Sequence, residues 1–282
     1  MKKGCLIITG LLIVMMAISF VIVLFQKNVP LGSRIALVRI EGPILDSKKI
    51  VDEIKVYTKD SSVKAIVLRV DSPGGAVAPS QEIYAEVKKA VLKKKVVVSM
   101  GSIAASGGYY ISAPASKIIA NPGTLTGSIG VILEIPNLEE LMSKIGIKTE
   151  VIKSGRHKDI GSSFRGIKQE EREILQGVMD NVHEQFIRAV SEGRKMKIEA
   201  VREISDGRIF SGEQAFENGL IDQLGTLEDA IKTAATLVGI KGEPEVVTKE
   251  KKFSLMDVLR NKIPDDLASV FPTMKIKYLY TP

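Results

Sequence analysis

Ser106 stands in a run of small residues that could form a nucleophilic turn. Ala104 and Ala105 precede it, and Gly107 and Gly108 follow it. A serine at a sharp strand-to-helix turn projects its Oγ into a cleft, and the next backbone N–H points at an oxyanion formed on an attacked carbonyl. The match to this turn is incomplete, because position 104 is Ala rather than Gly. By the local pattern alone, a serine that caps a helix is the better interpretation.

Gly74 and Gly75 end the motif DSPGG and are a second candidate element. Two successive glycines let the backbone approach a ligand closely and can turn both N–H groups toward it. With the N–H of Gly107, they could complete an oxyanion hole. The same pair fits a plain tight turn equally well, so this motif alone does not decide its role.

The chain offers few bases for such a serine, since its histidines are His157 and His183. His183 lies among polar residues of a predicted long helix, which predicts a solvated surface position. His157 is followed directly by Lys158. A lysine serves as a base only when neutral, which requires its pKa of about 10.4 to be lowered by burial or a nearby cation. Serine–lysine pairs are known variants of the catalytic triad, and spacing alone leaves His157 and Lys158 both open.

The elements that must position these residues alternate between strands and helices. Apolar runs predict strands at residues 34–44, 63–70, 96–99, 117–120, 131–132 and 148–153, and a short strand within residues 206–224. Helical spacing predicts helices at residues 79–92, 109–115, 138–145, 169–194 and 226–238, and a further helix that ends near Gly219. Residues 121–130 are predicted to be a loop, and Pro73 with the two glycines prohibits a continuing ladder after the second strand.

This alternation indicates a layered α/β domain with largely parallel strands at residues 34–240. The chain of 282 residues is long enough for one such domain and an anchor. Beyond it, the pattern degrades into charged patches and prolines. Residues 241–282 are therefore predicted to be a tail that is poorly ordered or partner-dependent.

Charge and cysteine content exclude some classes of function. The net charge of +7 admits a nucleic acid or an anionic lipid as partner, but the basic residues are scattered and only 5% of the residues are aromatic. We therefore expect no nucleic-acid binding. The single cysteine, Cys5, excludes a disulfide within one chain and argues against a cysteine-based metal site, so no metal is expected.

Residues 5–25 form an uncharged apolar run, and a helix needs about 20 such residues to cross a bilayer. A cleaved signal peptide is the main alternative, but its apolar core is typically about 7 to 15 residues and ends at small residues. A buried core helix rarely stays wholly apolar for so long. The run therefore predicts an uncleaved transmembrane anchor. Lys2 and Lys3 would keep residues 1–4 in the cytoplasm, and residues 26–33 would link the anchor to an extracytoplasmic domain.

Three motifs occur in a fixed order between about residue 35 and residue 231: DSPGG, then GSIAASGGYYISAPASKIIANPGTLTGSIGV, then SGRHKDIGS. Together they resemble the type A signal peptide peptidase family, in its short, single-unit form. The resemblance implies a spiral of strand–helix units like that of the caseinolytic protease and crotonase group. It also implies that Ser106 is the nucleophile, that Lys158 is the general base, and that Ser128 lies close to the lysine amine. No cofactor is implied.

The same resemblance implies a membrane-anchored serine endopeptidase that hydrolyses remnant signal peptides through an acyl-enzyme. The oxyanion hole would be formed by Gly107, Gly75 and Gly74. A homo-oligomeric ring is implied, in which the serine of one subunit faces the lysine of its neighbour. The alternatives are a related membrane serine protease that cleaves a stomatin-type partner and a non-catalytic scaffold on the same fold. Acyl-CoA chemistry on the crotonase fold is disfavoured by the anchor.

Overall fold

A computed structural model describes residues 15–16, 33–249 and 276–279 of the chain. The strands are β1 (Arg34–Glu41), β2 (Val63–Ser72), β3 (Gly74–Ala76), β4 (Lys95–Ala105), β5 (Lys117–Ala120), β6 (Leu125–Gly127), β7 (Ile132–Leu133), β8 (Ile209–Ser211), β9 (Gln223–Leu224), β10 (Glu245–Val247) and β11 (Ile276–Leu279). The helices are α1 (Lys48–Lys59), α2 (Val77–Val91), α3 (Gly107–Ser112), α4 (Glu139–Lys144), α5 (Gln169–Arg194), α6 (Ile198–Glu203), α7 (Gly212–Glu217) and α8 (Leu227–Leu237).

The larger sheet has the strand order β10-β1-β2-β4-β5-β9, and all neighbours in this path are parallel. Both faces of its central strands are covered, which explains why residues 65–68 of β2 form a continuous apolar run rather than an alternating one. Leu68 packs in the cluster that contains Ile83 of α2, whereas its neighbour Val67 packs in the cluster that contains Ala234 of α8. The predicted α/β class with largely parallel strands is confirmed.

The carboxyl end of β4 extends the larger sheet toward a second, smaller one. Beyond the β5 pairing, β4 pairs with β6, and β6 pairs in antiparallel fashion with β8. The smaller sheet has the order β3-β11-β7, and both of its pairings are antiparallel. The region between β4 and α3 therefore lies where the two sheets approach each other.

Several predicted elements agree closely with the structure. The strand at residues 117–120 and the long helix at residues 169–194 have the predicted bounds, and the positive φ of Gly219 follows α7 as expected of a glycine after a helix. The third predicted strand, at residues 96–99, corresponds to β4, which is longer than predicted. Gly101 lets β4 continue past the side chain of Asp71, because a Cβ at position 101 would lie 2.6 Å from Asp71 Cγ.

Three predictions about local structure are wrong. Residues 148–153 form no strand; Ile152 is fully exposed, and no described strand pairs with this segment. An apolar alternation makes a strand only where a partner strand supplies its hydrogen bonds. Gly74 and Gly75 do join a ladder, that of β3 with β11. The predicted loop at residues 121–130 contains β6, and helix α1 is absent from the predictions.

Two short strands lie beyond residue 240, in the segment predicted to be a tail: β10 pairs with β1, and β11 pairs with β3 and β7. The predicted anchor, residues 5–25, lies outside the described residues except for Met15 and Met16, which are helical. Among the described residues, no helix is both long and apolar enough to cross a membrane.

Candidate active site

Ser106 lies at the turn between β4 and α3, where two sets of backbone hydrogen bonds hold it. Its N–H donates to the carbonyl oxygen of Gly127 at 2.8 Å, which continues the β4–β6 ladder. Its own carbonyl accepts from Tyr110 N–H at 2.8 Å, which starts α3. The side chain is 1% exposed, and its hydroxyl makes no capping hydrogen bond to the helix. The helix-capping alternative is therefore wrong.

The backbone of Ser106 is strained. Its φ of 53° and ψ of −117° place a non-glycine residue in a sparsely populated conformation. Such strain costs about 1–3 kcal/mol and persists where the surrounding structure over-determines it, often at functional sites. Here the β6 ladder on one side and α3 on the other force the sharp turn expected of a strand-to-helix nucleophile.

Gly107 packs directly against the Gly74–Gly75 backbone. A Cβ at position 107 would lie 3.1 Å from Gly74 Cα, 3.2 Å from Gly75 N and 2.7 Å from Ser80 Oγ. In the described part of the chain, the N–H of Gly107 makes no hydrogen bond. The structure thus brings Gly74, Gly75 and Gly107 together beside Ser106, and the Gly107 N–H is free to donate to an oxyanion.

Two serines that the motif comparison did not single out support these glycines. Ser72 Oγ accepts from Gly74 N–H at 3.1 Å, so this N–H is not free for the oxyanion hole in which Gly74 was predicted. Gly74 has a φ of 100°. Ser80 Oγ donates to the carbonyl oxygen of Ala76 at 2.9 Å. Ser72 belongs to the motif DSPGG, which could have pointed to it. Its hydrogen bond with Gly74, however, depends on the fold of the turn and cannot be seen in the sequence. Both serines are fully buried, so they fix the turn that carries the glycines.

Ser128 lies beside Ser106, in the cluster that Ser106 forms with Gly74, Gly75 and Gly107. It directly follows Gly127, whose carbonyl accepts from the Ser106 N–H. Its φ is 50°, its side chain is 8% exposed, and its N–H donates to the Arg208 carbonyl at 2.9 Å. Two buried serines with positive φ therefore flank one β4–β6 hydrogen bond.

Lys158 is exposed and lies in a segment of successive turns, residues 154–163. In the part of the chain that the structure describes, no hydrogen bond or ion pair joins its amine to Ser106, to Ser128 or to any other residue. His157 differs from it, since its Nε2 lies 3.5 Å from Glu170 Oε1. The cluster around Ser106 is thus formed without Lys158 from the same chain.

His183 lies on helix α5, in surroundings that differ from those predicted. His183 is half-buried rather than solvated as predicted, and its Nε2 is buried without a hydrogen-bond partner within residues 33–249. Over the described ranges, no group of three or more His, Cys, Asp or Glu side chains could hold a metal ion.

The groove beside the cluster holds an extended segment. β11 runs antiparallel to β3 with Tyr278 opposite Gly75 and Leu279 opposite Gly74, and on its other side it pairs with β7. β7 also borders a cavity of about 470 Å³, whose apolar lining includes Val131, Leu133 and Met179. The edge of β3 that carries the candidate oxyanion glycines can therefore bind a peptide as a strand.

Replacing Ser106 by Gly is expected to give a protein about 1 kcal/mol more stable toward unfolding than Ser106→Ala, because glycine adopts the positive φ without a Cβ penalty. Urea unfolding of the two variants measures the difference. Ser112, the last residue of α3 and followed by Ala113 in a helical conformation, is the matched control. There the order should reverse, with Gly less stable than Ala, and equal stabilities at position 106 would contradict the strain.

A strained, buried serine at the end of a parallel strand, with glycine N–H groups packed beside it, defines an α/β protein with a nucleophile turn. Comparison with known families agrees with this class. The family model "Peptidase family S49" matches residues 88–241, and the model "Clp protease" matches residues 33–124. The chain belongs to peptidase family S49, and its mixed sheet with covering helices is consistent with the Clp-like fold.

Individual proteins similar to this chain also carry protease or peptidase names. A protein of Synechocystis sp. that carries a protease name is 48% identical over 73% of this chain and 75% of its own length. Protease 4 of Salmonella typhi is 35% identical over 92% of this chain and 46% of its own length. A protein of Enterococcus faecium named as a signal peptide peptidase is 42% identical over 64% of this chain and 52% of its own length. The chain thus spans about half the length of the latter two.

Proposed function

We propose that the chain is a membrane-anchored serine endopeptidase that hydrolyses remnant signal peptides and similar apolar peptides. The observation that carries the proposal is the conformation of Ser106, a buried serine held at positive φ with Gly107 and Gly75 packed at its side. A strained turn that presents a hydroxyl next to the free N–H group of Gly107 is the geometry of acyl transfer. Membership of a peptidase family and the name of the Enterococcus relative support the peptide substrate.

In the proposed mechanism, the amine of Lys158 takes the proton of Ser106 Oγ as the oxygen attacks a peptide carbonyl. The N–H groups of Gly107 and Gly75 donate to the oxyanion, and the turn at Gly74 holds them in place. Collapse of the tetrahedral intermediate breaks the C–N bond, and the lysine returns its proton to the leaving amine. Water then hydrolyses the acyl-enzyme, with the lysine again accepting and donating the proton. Ser128 orients the amine.

A second subunit supplies the lysine in this proposal. The support is that Lys158 is exposed and without a partner in the described part of its own chain, whereas Ser106 and Ser128 are buried together. In a closed homo-oligomeric ring, each serine faces the lysine of the next subunit, so every site contains both residues. The match to the Clp protease model is compatible with such an assembly and with the spiral fold predicted from the sequence.

Substrates are proposed to bind as an added strand on β3. The position of β11, between β3 and β7, supports this mode because it places an extended backbone along Gly74–Ala76. Apolar side chains of the peptide would enter the cavity beside β7. No cofactor takes part in this chemistry.

Deleting residues 276–282 is expected to lower the KM for peptides several-fold, because β11 then no longer competes for the edge of β3. An intramolecular competitor acts at an effective concentration of order millimolar. Steady-state kinetics with a fluorogenic peptide measures the change. Deletion of residues 280–282 alone leaves β11 in place and is the control, and equal KM values in both deletions would contradict the competition.

The proposed location is a single-pass membrane protein with a cytoplasmic N-terminus and an extracytoplasmic catalytic domain. It rests on the uncharged run at residues 5–25 and on Lys2 and Lys3 before it. An anchor of this kind places the active site near peptides that remain in the membrane after signal-peptide cleavage.

Labelling of the intact oligomer with a serine-reactive fluorophosphonate probe, followed by mass-spectrometric mapping, tests the function. We expect modification of Ser106 and parallel loss of peptide hydrolysis. A non-catalytic scaffold would not be labelled, and modification of another serine would contradict the site. Profiling against signal peptides and stomatin-type segments then separates the proposed substrate from that of the related class of membrane protease.

A further inference from the structure

The segment that carries Lys158 is held by consecutive turns rather than by a strand or helix. Lys158 N–H donates to the Gly155 carbonyl, Ile160 N–H to the His157 carbonyl and Ser162 N–H to the Asp159 carbonyl, each at 3.1 Å. Turn bonds of this kind do not by themselves fix a segment relative to the rest of the domain. The position of this segment relative to the domain must therefore be fixed by side chains that bond it to a rigid element.

Arg165 supplies the most extensive tie. Its Nε donates to Asp159 Oδ2 at 2.9 Å, and its Nη2 donates to the Asp159 carbonyl oxygen at 3.2 Å. The same guanidinium forms a fork with Glu171, with Nη1 to Oε2 at 2.8 Å and Nη2 to Oε1 at 2.6 Å. All three guanidinium nitrogens therefore donate hydrogen bonds, and Arg165 bridges Asp159, the residue after Lys158, to Glu171.

Glu171 is a fixed point because it lies in the first turn of the 26-residue helix α5. It is 2% exposed, and its Oε2 accepts from the Lys168 N–H at 3.1 Å. The hydrogen bonds from Arg165 lower the pKa of Glu171 to about 2 and hold the pKa of Asp159 well below its usual range, so both carboxylates stay ionised near neutral pH. Lys153 pairs with the other oxygen of Asp159.

The residues before Lys158 are tied to the same helix turn. Arg156 Nη2 lies 2.5 Å from Glu170 Oε2, and His157 Nε2 lies 3.5 Å from Glu170 Oε1. In the segment from Arg156 to Asp159, Lys158 alone among the described side chains has no such contact. The neighbours on both sides are thus held while the lysine amine is left available for a partner.

We propose that Arg165 is a positioning residue for Lys158: by joining the side chain and carbonyl of Asp159 to Glu171, it sets where the lysine amine is presented to the neighbouring serine. The inference rests on the proposed function, in which Lys158 is the general base. A displacement of about 1 Å at a catalytic group can cost about 100-fold in rate. Loss of the bridge therefore lowers kcat at saturating peptide. Arg165 also borders the cavity proposed for apolar side chains of the peptide, so a change in KM is read separately from the change in kcat.

The test compares Arg165→Met and Arg165→Lys with the wild type as full-length oligomers. Arg165→Met is expected to lower kcat, measured at saturating peptide, about 100-fold. The kcat of Arg165→Lys should lie between those of the wild type and Arg165→Met. One ammonium cannot bridge both carboxylates as the forked guanidinium does. Arg202→Met is the matched control, since it removes a guanidinium paired with Glu184 on the same helix α5. It should keep kcat close to wild type.

A double-mutant cycle separates positioning from folding. If Arg165 acts through Asp159, Arg165→Met with Asp159→Asn together should lose no more kcat than Arg165→Met alone, and oligomer mass and melting temperature report assembly. The isosteric Asp159→Asn gives the same readout if Arg165→Met does not assemble.

Two outcomes would overturn the inference while leaving the proposed function intact: an inactive Lys158→Ala beside a fully active Arg165→Met, or an Arg165→Met with reduced kcat matched by an equal loss in Arg202→Met. By contrast, full activity of Lys158→Ala would overturn the proposed function itself.

Discussion

Peptide hydrolysis by Ser106→Ala is expected to fall at least about 1,000-fold relative to wild type, because no other oxygen can form the acyl-enzyme. The variant should assemble normally and keep its affinity for peptide, since the side chain makes no capping hydrogen bond and the backbone bonds to Gly127 and Tyr110 do not involve it. The residual rate comes from the glycine N–H groups, which still polarise a bound carbonyl.

The measurement is steady-state cleavage of a fluorogenic apolar peptide by the purified oligomer, with mass and thermal unfolding checked in parallel. Ser102→Ala is the control, because Ser102 lies on the same strand, β4, and is exposed. It should hydrolyse the peptide at the wild-type rate. Retention of most of the activity by Ser106→Ala would end the assignment of the nucleophile, whatever the behaviour of Ser102→Ala.

Lys158→Ala is expected to lose activity to a similar extent, because the attacking hydroxyl then has no base. Mixing distinguishes a dyad shared between subunits from one within a chain. When Ser106→Ala and Lys158→Ala subunits are denatured and reassembled in equal amounts, about a quarter of the sites in a ring combine an intact serine with an intact lysine. Activity should therefore recover to about a quarter of wild type.

The control for this mixture is reassembly of a Ser106→Ala/Lys158→Ala double variant with each single variant, because at most one intact residue of the dyad is then present at any site. Those mixtures should stay inactive. If the mixture of single variants is as inactive as the double variant although mixed oligomers are present by mass, the serine and lysine must come from one chain, and the shared site is wrong.

Much of the frame that carries the site could be predicted from the sequence. The bounds of β5 and α5 match the predictions because they depend on local pattern: a short apolar run between polar residues, and a helical repeat without Pro. Ser106, Gly107 and the Gly74–Gly75 pair were likewise found from residue type and motif order. Such features are encoded within a few positions of one another, so the local sequence suffices to find them.

The tertiary structure decided what those features do together. Ser106 has a positive φ because β6, some 20 residues later in the chain, pairs with the end of β4, and local propensity favours the helix cap instead. Gly74 and Gly75 become a strand because β11, about 200 residues away, pairs with them.

The surroundings of Lys158 show the same limit. Arg165 reaches Asp159 and Glu171 through turns that no periodicity predicts, and residues 148–153 have a strand pattern but no described partner strand. The sequence by itself thus determined the candidate residues and most of the elements. Only the tertiary structure decided the strain at Ser106, the glycine cluster and the Arg165 bridge beside Lys158, because each depends on contacts between segments that the whole fold brings together.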